Sequence, residues 1–145
     1  MTFEIVSYVG AKPLLFGMTE DQAERAVGAP LKTSVNFLGE RNSNYEGFNI
    51  SHSAQSGGLV EVGFSSDVNV VIRGVELFRE PEAFPKLLQQ DSCPYEHVGF
   101  IILLDFGITL TGFHDNDPFQ RAITAFTRGR WDHLKGKFKK LKFSF

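Results

Sequence analysis

Apolar and polar residues alternate in several short stretches of the chain, and this pattern is typical of half-buried β-strands. The stretches are residues 3–9, a hairpin formed by 33–38 and 45–51, and the segments 59–64, 68–73, 108–113 and 121–128. Residues 98–104 are almost continuously apolar and predict a central strand buried on both faces. Residues 137–145 alternate lysines with large apolar residues and predict an edge strand, because lysines discourage edge-to-edge association.

Two short helices are expected between these strands. The first covers about residues 20–27, since Thr19 is an N-cap residue and Gln22, three positions later, completes a capping box. Gly28 then ends the helix. The second helix is expected over 81–90, where a proline occupies the first position and apolar residues recur at helical spacing.

The elements together predict an α+β fold with a mainly antiparallel, meandering sheet of about eight or nine strands and two short helices. The chain has 145 residues, which is the size of one ordinary domain, and we expect residues 1–145 to form a single α+β domain. Hydrophobic residues make up 42% and charged residues 22%, so the composition is that of a globular protein and not of a disordered chain.

Several classes of protein are excluded by simple counts. The chain has one cysteine, Cys93, so an internal disulfide framework and a cysteine-based zinc site are excluded. The longest apolar run, residues 100–104, is far shorter than the ~20 residues of a membrane span. The first ten residues carry Glu4 and no basic stretch, so we expect no secretory signal and a soluble, cytoplasmic protein that does not contact membranes.

Motifs of nucleophilic catalysis and of phosphate binding are not found in the sequence, which favours a non-catalytic protein without a cofactor. The best candidate for chemistry is the cluster His114, Asp115 and Asp117, whose side chains are those of a metal site or an acid–base pair. Asp-Asn-Asp-Pro at 115–118 is also ordinary turn chemistry, and the spacing fits no known metal motif. We therefore predict no metal, and a small metal-dependent enzyme is the alternative.

Charge is distributed unevenly along the chain. Residues 1–127 contain 8 Lys and Arg against 16 Asp and Glu, a balance of −8, whereas residues 128–145 contain 7 against 1, a balance of +6. Trp131 and Phe138 lie among these basic residues, and stacking aromatics with lysines is the composition of a nucleic-acid-binding surface. The acidic remainder would repel nucleic acid, however, and the alternation favours a strand whose aromatics face the core. Nucleic-acid binding is therefore the second alternative.

Two stretches of the chain resemble known bacterial proteins. Residues 14–23, LLFGMTEDQA, with VGAP at 27–30, have the same glycine, acidic helix and proline as the helix of outer-membrane assembly lipoproteins. The chain has no lipobox cysteine at its start, so a lipoprotein is not expected. Residues 121–132, which follow a Gly-Ile-x-Leu strand at 107–110, complete a resemblance to small bacterial α+β proteins, some of which are immunity proteins of polymorphic or contact-dependent toxins.

The resemblance implies a protein-binding inhibitor that neutralises a cognate toxin by covering its active site. The acidic body suggests a basic partner, such as a nuclease, because opposite charge speeds association. The binding face is expected among exposed acidic and aromatic residues of three loops: Glu40, Tyr45, Glu46, Asp91, Tyr95, Glu96, His114, Asp115 and Asp117. The free edge expected at 137–145 is compatible with a monomer or a homodimer.

Overall fold

The structure, a computed structural model, describes residues 1–113 and 121–141. The strands in these residues are, in chain order, β1 (Thr2–Val6), β2 (Gly10–Lys12), β3 (Leu14–Leu15), β4 (Lys32–Val35), β5 (Arg41–Asn44), β6 (Phe48–His52), β7 (Leu59–Ser65), β8 (Asn69–Ile72), β9 (Val75–Glu76), β10 (Tyr95–His97), β11 (Phe100–Leu103), β12 (Ile108–Thr111), β13 (Ala122–Phe126) and β14 (Lys139–Lys140). The helices are α1 (Glu20–Val27), α2 (Ala83–Gln90) and a 3₁₀-helix (Asp132–Lys137). None of these helices is long and apolar enough to cross a membrane.

The strands form two sheets, and the α+β class predicted from the sequence is confirmed. One sheet has five strands in the order β3-β2-β1-β8-β9, and the other has nine in the order β14-β10-β11-β12-β13-β7-β6-β5-β4. The pairings are antiparallel apart from that of β1 with β8, which is parallel. The described residues contain more strands than expected, because short strands such as β2, β3 and β9 add to the predicted ones. They form two sheets and not one, because β7 and β8, which follow each other in the chain, belong to different sheets.

The two sheets meet in an aromatic core. The ring of Phe3 on β1 lies 4.8 Å from that of Phe48 on β6 and 5.0 Å from that of Phe64 on β7, measured between centroids. Helix α2 adds Leu87 and Leu88 to the same buried cluster. Tilted aromatic pairs of this kind stabilise a core beyond the area that they bury, so the phenylalanines join the two sheets.

Helix α1 begins and ends where the sequence predicts. The backbone N–H of Gln22 donates to Thr19 Oγ1 at 3.2 Å, and the N–H of Thr19 donates to Gln22 Oε1 at 2.9 Å. Gly28 has a φ of 89°, and its N–H donates to the carbonyl of Glu24 at 2.7 Å. The capping box and the glycine stop are local signals, and both are confirmed.

Strand β5 was expected to be a turn. The predicted hairpin of 33–38 with 45–51 is wrong, because residues 41–44 form β5, which pairs with β4 on one side and with β6 on the other. The sequence of β5, Arg-Asn-Ser-Asn, is polar and carries no apolar alternation. Polar contacts across the sheet hold this strand instead. For example, the Ser51 hydroxyl on β6 donates a hydrogen bond to Asn42 Oδ1 at 2.6 Å.

Other bounds move by a few residues. The first predicted strand stops at Val6, and the chain turns there into β2 and β3. Helix α2 begins at Ala83, two residues after the proline expected to start it. Strand β11 begins at Phe100, and Val98 lies in the preceding turn, 81% exposed and with a φ of 50°. Burial on both faces therefore holds only for residues 101–103.

Residues 128–141, which we call the basic segment, follow β13 and pack their aromatic side chains against the nine-stranded sheet. Trp131 lies 6.1 Å from Phe126 and 6.2 Å from Phe138, and Phe138 lies 5.8 Å from Tyr95, measured between ring centroids. Strand β14 is the end strand of this sheet and pairs with β10, as an edge strand should. Lys137, the first residue of the predicted edge strand 137–145, belongs to the 3₁₀-helix instead. Residues 142–145 lie outside the described residues.

Candidate functional site

Large apolar side chains are exposed on and around β4, the other end strand of the nine-stranded sheet. Leu31 is 78% exposed, Val35 and Leu38 are each 61% exposed, and Phe37 is 95% exposed. Contiguous apolar side chains in solvent mark binding surfaces more often than single ones do. We call Leu31, Val35, Phe37 and Leu38, together with the free edge of β4, the β4 edge surface.

The turn that carries Phe37 and Leu38 is held by one asparagine. Asn36 Oδ1 accepts hydrogen bonds from the backbone N–H of Leu38 at 2.9 Å and of Glu40 at 3.0 Å. Gly39 adopts a φ of 78°, which glycine reaches without strain, and its N–H donates to the Asn36 carbonyl. The apolar side chains of the turn are thus presented to solvent on an ordered backbone.

The backbone of β4 has hydrogen-bonding groups that point away from the sheet. The N–H of Asn36 donates to the carbonyl of Glu40 at 3.0 Å, so residue 36 faces β5. Along an antiparallel strand, the backbone N–H and C=O groups of successive residues point alternately to one neighbouring strand and to the other side. Ser34 therefore also directs its backbone groups toward β5, whereas Thr33 and Val35 direct theirs away from the sheet. All four residues of β4 are exposed, so this edge is open to a strand from another molecule.

A partly buried ion cluster lies at the base of the turn. Arg130 Nη1 and Nη2 donate to the two carboxylate oxygens of Glu40 at 2.7 and 2.9 Å, and Arg130 Nε donates to Glu61 Oε1 at 3.0 Å. The hydrogen bond from Arg130 holds the pKa of Glu40 below its usual range although burial opposes this. Glu40, in turn, raises the pKa of Arg130 further above its usual range. Two carboxylates and one guanidinium leave the cluster with a net charge of −1.

A cavity of about 260 Å³ separates the turn from the 3₁₀-helix. Its walls include Leu38 from the turn, Trp131 and Leu134 from the basic segment, and the charged groups of Glu61 and Arg130. The cavity therefore combines apolar walls with a polar side formed by one carboxylate and one guanidinium, those of Glu61 and Arg130. It adjoins the β4 edge surface through Leu38, which belongs to both.

Two of the residues predicted to face a partner are buried, which corrects the expectation that they are exposed. Glu40 exposes 9% of its surface and is bound by Arg130, as described above. Asp91 exposes 7%, and its carboxylate accepts hydrogen bonds from the backbone N–H groups of Cys93 at 3.0 Å and Asp105 at 3.2 Å. Burial raises the pKa of Asp91 above its usual range. Both carboxylates are used to hold the fold together.

The other predicted residues lie in different places. The Tyr45 hydroxyl donates to the carbonyl of Gly28 at 2.8 Å, and the ring stacks on Phe48 at 4.6 Å, whereas Glu46 is exposed. Tyr95 and Glu96 are half-buried on β10. Strands β10 and β5 are six positions apart in the sheet order, which is about 29 Å along the sheet. Within residues 1–113 and 121–141, no hydrogen bond, ion pair or ring contact joins the first two predicted loops.

The third predicted loop, with His114, Asp115 and Asp117, lies outside the described residues. Within residues 1–113 and 121–141, no group of three or more His, Cys, Asp or Glu side chains is arranged to hold a metal ion.

Sequence reasoning missed Phe37 and Leu38 because it assigned both to the predicted strand 33–38 and looked for a binding face only in the loops. The signal was nevertheless present, since Phe37 and Leu38 stand between Asn36 and Gly39, two residues that favour turns. Large apolar residues at the tip of a turn have no core to enter and are exposed by geometry. Comparison of the chain with protein-family models, with curated proteins and with solved structures found no match.

Proposed function

We propose that this chain is a non-catalytic protein-binding inhibitor, an immunity protein that neutralises a cognate toxin by covering its active site. The observation that carries the proposal is the β4 edge surface, where Phe37 is 95% exposed on an ordered turn. Apolar side chains held in solvent by a fixed backbone lose little conformational entropy on binding, and this favours a protein partner. The resemblance of residues 14–23, 27–30 and 121–132 to small bacterial α+β proteins, some of which are immunity proteins, supports the same function.

The chemistry of the partner follows from charge. Helix α1 contains Glu20, Asp21, Glu24 and Arg25, a balance of −2, and it is joined to β5 by an ion pair of 2.9 Å between Glu20 and Arg41. The acidic helix therefore flanks the sheet next to β4, and residues 1–127 as a whole carry −8. Both favour a basic toxin, such as a nuclease, that adds a strand to the open edge of β4.

Co-expression tests the function. The product of a neighbouring reading frame is expressed with and without this protein, and cell growth is followed. We expect the neighbour to be toxic alone and harmless in the presence of this protein. Purified partner and inhibitor should then form a complex in which the toxin is inactive. A toxin that keeps its activity in a saturated complex would overturn the mechanism of active-site covering.

A matched pair of variants tests the surface. Phe37→Asp places a charge in the β4 edge surface, and Val98→Asp places one at a comparably exposed apolar residue in the turn before β11. We expect Phe37→Asp to abolish protection and Val98→Asp to retain it, with both proteins as stable as the parent. Equal protection by both variants would show that the partner binds elsewhere. A parent protein that is a dimer paired through β4 would show that a second copy occupies the edge instead.

A further inference from the structure

A second cavity, of about 370 Å³, lies on the other side of Trp131. Its lining includes four aromatic or charged side chains of the basic segment, together with Tyr8 from the turn after β1 and Phe126 from β13. By strand alternation Phe126 lies on the face of the sheet opposite to Ala125, which is in the main core. The cavity thus lies on the face of the sheet away from the main core cluster.

Positive charge exceeds negative charge on the wall of this cavity. Arg128, Asp132 and Lys135 all line it, and the ion pair between Lys135 Nζ and Asp132 Oδ1, at 2.9 Å, leaves the charge of Arg128 uncompensated. Within residues 1–113 and 121–141, Arg128 forms no ion pair with a carboxylate. The wall therefore carries a surplus of one positive charge.

Arg128 is held by stacking, which leaves its donors available. Its guanidinium carbon lies 4.0 Å from the centroid of the Tyr8 ring. A guanidinium stacked on an aromatic face keeps its N–H groups in its own plane, where they match the two oxygens of a carboxylate or phosphate. Arg128 is thus oriented without being neutralised.

The ring that supports Arg128 is itself fixed. The Tyr8 hydroxyl donates to the carbonyl of Leu104, and the ring lies so close to Gly107 that a Cβ added there would be 3.0 Å from Tyr8 Cε1. Burial raises the pKa of the Tyr8 hydroxyl above its usual range, although Arg128 and Lys135 oppose this. The hydroxyl is therefore neutral at pH 7 and remains a hydrogen-bond donor to Leu104.

We propose that this cavity binds a small aromatic oxyanion, a ligand in which a phosphate or carboxylate is attached to a planar ring. The oxyanion would contact Arg128 and Lys135, and the ring would lie against the indole of Trp131 and the ring of Phe126. The cavity volume is within the range of small-molecule sites, and a few polar groups among aromatic walls are the usual composition of such sites. This site does not depend on the proposed inhibitor function.

Trp131 is the single tryptophan of the chain and lines both cavities, so its fluorescence detects a ligand in either one, and the variants described below assign the response to this cavity. The probes are AMP, in which a ribose joins the phosphate to the ring, and benzoate, which carries its carboxylate on a ring and does not emit where tryptophan does. Adenosine and inorganic phosphate are the corresponding half-ligands. We expect a saturable change in fluorescence with at least one of the two complete probes, and weaker binding of each half-ligand. No saturable change with either complete probe would overturn the proposal.

Two double variants with the same change in charge complete the test. Arg128→Gln with Lys135→Gln removes the cations of the cavity, and Lys139→Gln with Lys140→Gln removes exposed lysines of β14. We expect the first pair to weaken binding at least about tenfold, the loss of one charge-assisted hydrogen bond, and the second pair to leave it unchanged. Thermal unfolding and circular dichroism confirm that each variant is folded.

Equal weakening by both pairs would show non-specific attraction to the basic segment and would overturn the proposal. Tighter binding of a short single-stranded RNA, lost on removal of Lys139 and Lys140, would instead assign the segment to nucleic acid. Growth protection in the co-expression assay should be the same for the parent and for the variant of Arg128 and Lys135. The two proposals can therefore fail separately.

Discussion

Arg130 binds Glu40 through two hydrogen bonds of 2.7 and 2.9 Å, although 90 positions separate the two residues in the chain. The pair joins the turn that carries Phe37 to the segment that follows β13. Glu61, on β7, binds the same guanidinium at 3.0 Å. The exposed turn is therefore anchored from below by a buried charge network.

Removal of Arg130 should be strongly destabilising. In Arg130→Gln the carboxylates of Glu40 and Glu61 remain close together and lose their partner, in a region where Arg130 exposes 21% and Glu40 11% of the side chain. We expect the free energy of unfolding to fall by about 3–5 kcal/mol, as for other broken buried pairs. Urea denaturation of the parent and of Arg130→Gln measures this difference in the free energy of unfolding.

The control for this prediction is Arg41→Gln. Arg41 also pairs with a glutamate, Glu20, at 2.9 Å, but the two side chains are 48% and 47% exposed. We expect a loss of less than about 1 kcal/mol, because solvent screens an exposed pair. Similar losses in the two variants would contradict the buried character of the Arg130 cluster.

His52 should make the protein less stable in mild acid. It exposes 2% of its surface, and burial lowers its pKa from 6.5, although the Glu20 carboxylate opposes this. Below pH 6.5 the unfolded chain therefore binds a proton that the folded protein does not, and the free energy of unfolding falls as the pH falls toward the lowered folded value.

The pH dependence has its own matched variants. His52→Gln should reduce the slope of the free energy of unfolding against pH between about pH 7 and pH 5, and His133→Gln, at an exposed position, should not change it. The contribution of Glu40, whose pKa is lowered, is present above 4.5 and is lost only below that value. An unchanged slope in His52→Gln would contradict this assignment.

Asp91 should matter for stability and not for partner binding. Asp91→Ala leaves two backbone N–H groups, those of Cys93 and Asp105, without their acceptor. We expect a loss of about 2 kcal/mol, because two partly buried donors lose their hydrogen bonds to a carboxylate. Glu46→Ala, at an exposed residue of the turn between β5 and β6, should change stability by less than about 0.5 kcal/mol. An Asp91→Ala protein that is as stable as the parent but no longer binds its partner would contradict this prediction and would show that Asp91 belongs to the binding face.

Proline substitutions distinguish the two sides of β4. Thr33→Pro removes an N–H that points away from the sheet, so the fold should survive and strand addition by a partner should be blocked. Ser34→Pro removes an N–H that faces β5 and should lower the melting temperature by several degrees more. Protection of cells by Thr33→Pro at the parent level would contradict strand addition at this edge.

The parts of the fold that were predictable depend on local signals. Helix α1 is set by Thr19, Gln22 and Gly28, which act within ten residues of one another, and its bounds were predicted correctly. The separation of β7 and β8 into different sheets depends on long-range packing of Phe3 against Phe64, for which the sequence between the strands has no signal. Alternation identified the strands but not their sheets.

The candidate site was less predictable for the same reason. The local sequence predicts that Glu40 is an exposed loop residue. It is buried because it binds Arg130, which is 90 positions away in the chain. The local sequence likewise predicts that Asp91 is exposed, but its carboxylate accepts a hydrogen bond from the N–H of Asp105 in the turn before β12. Burial of a charged side chain is decided by a distant partner, which periodicity does not show.

The parallel pairing of β1 with β8 bears on how the protein emerges from the ribosome. β1 is the middle strand of its sheet, and Phe3 faces Val70 across the pair, 67 positions later in the chain. During synthesis the first strand therefore has β2 as a neighbour but lacks its second neighbour until β8 has left the exit tunnel. Until then Phe3 and Ile5, which are 0% and 3% exposed in the finished protein, are apolar surface in contact with water, and such surface makes folding intermediates prone to aggregate.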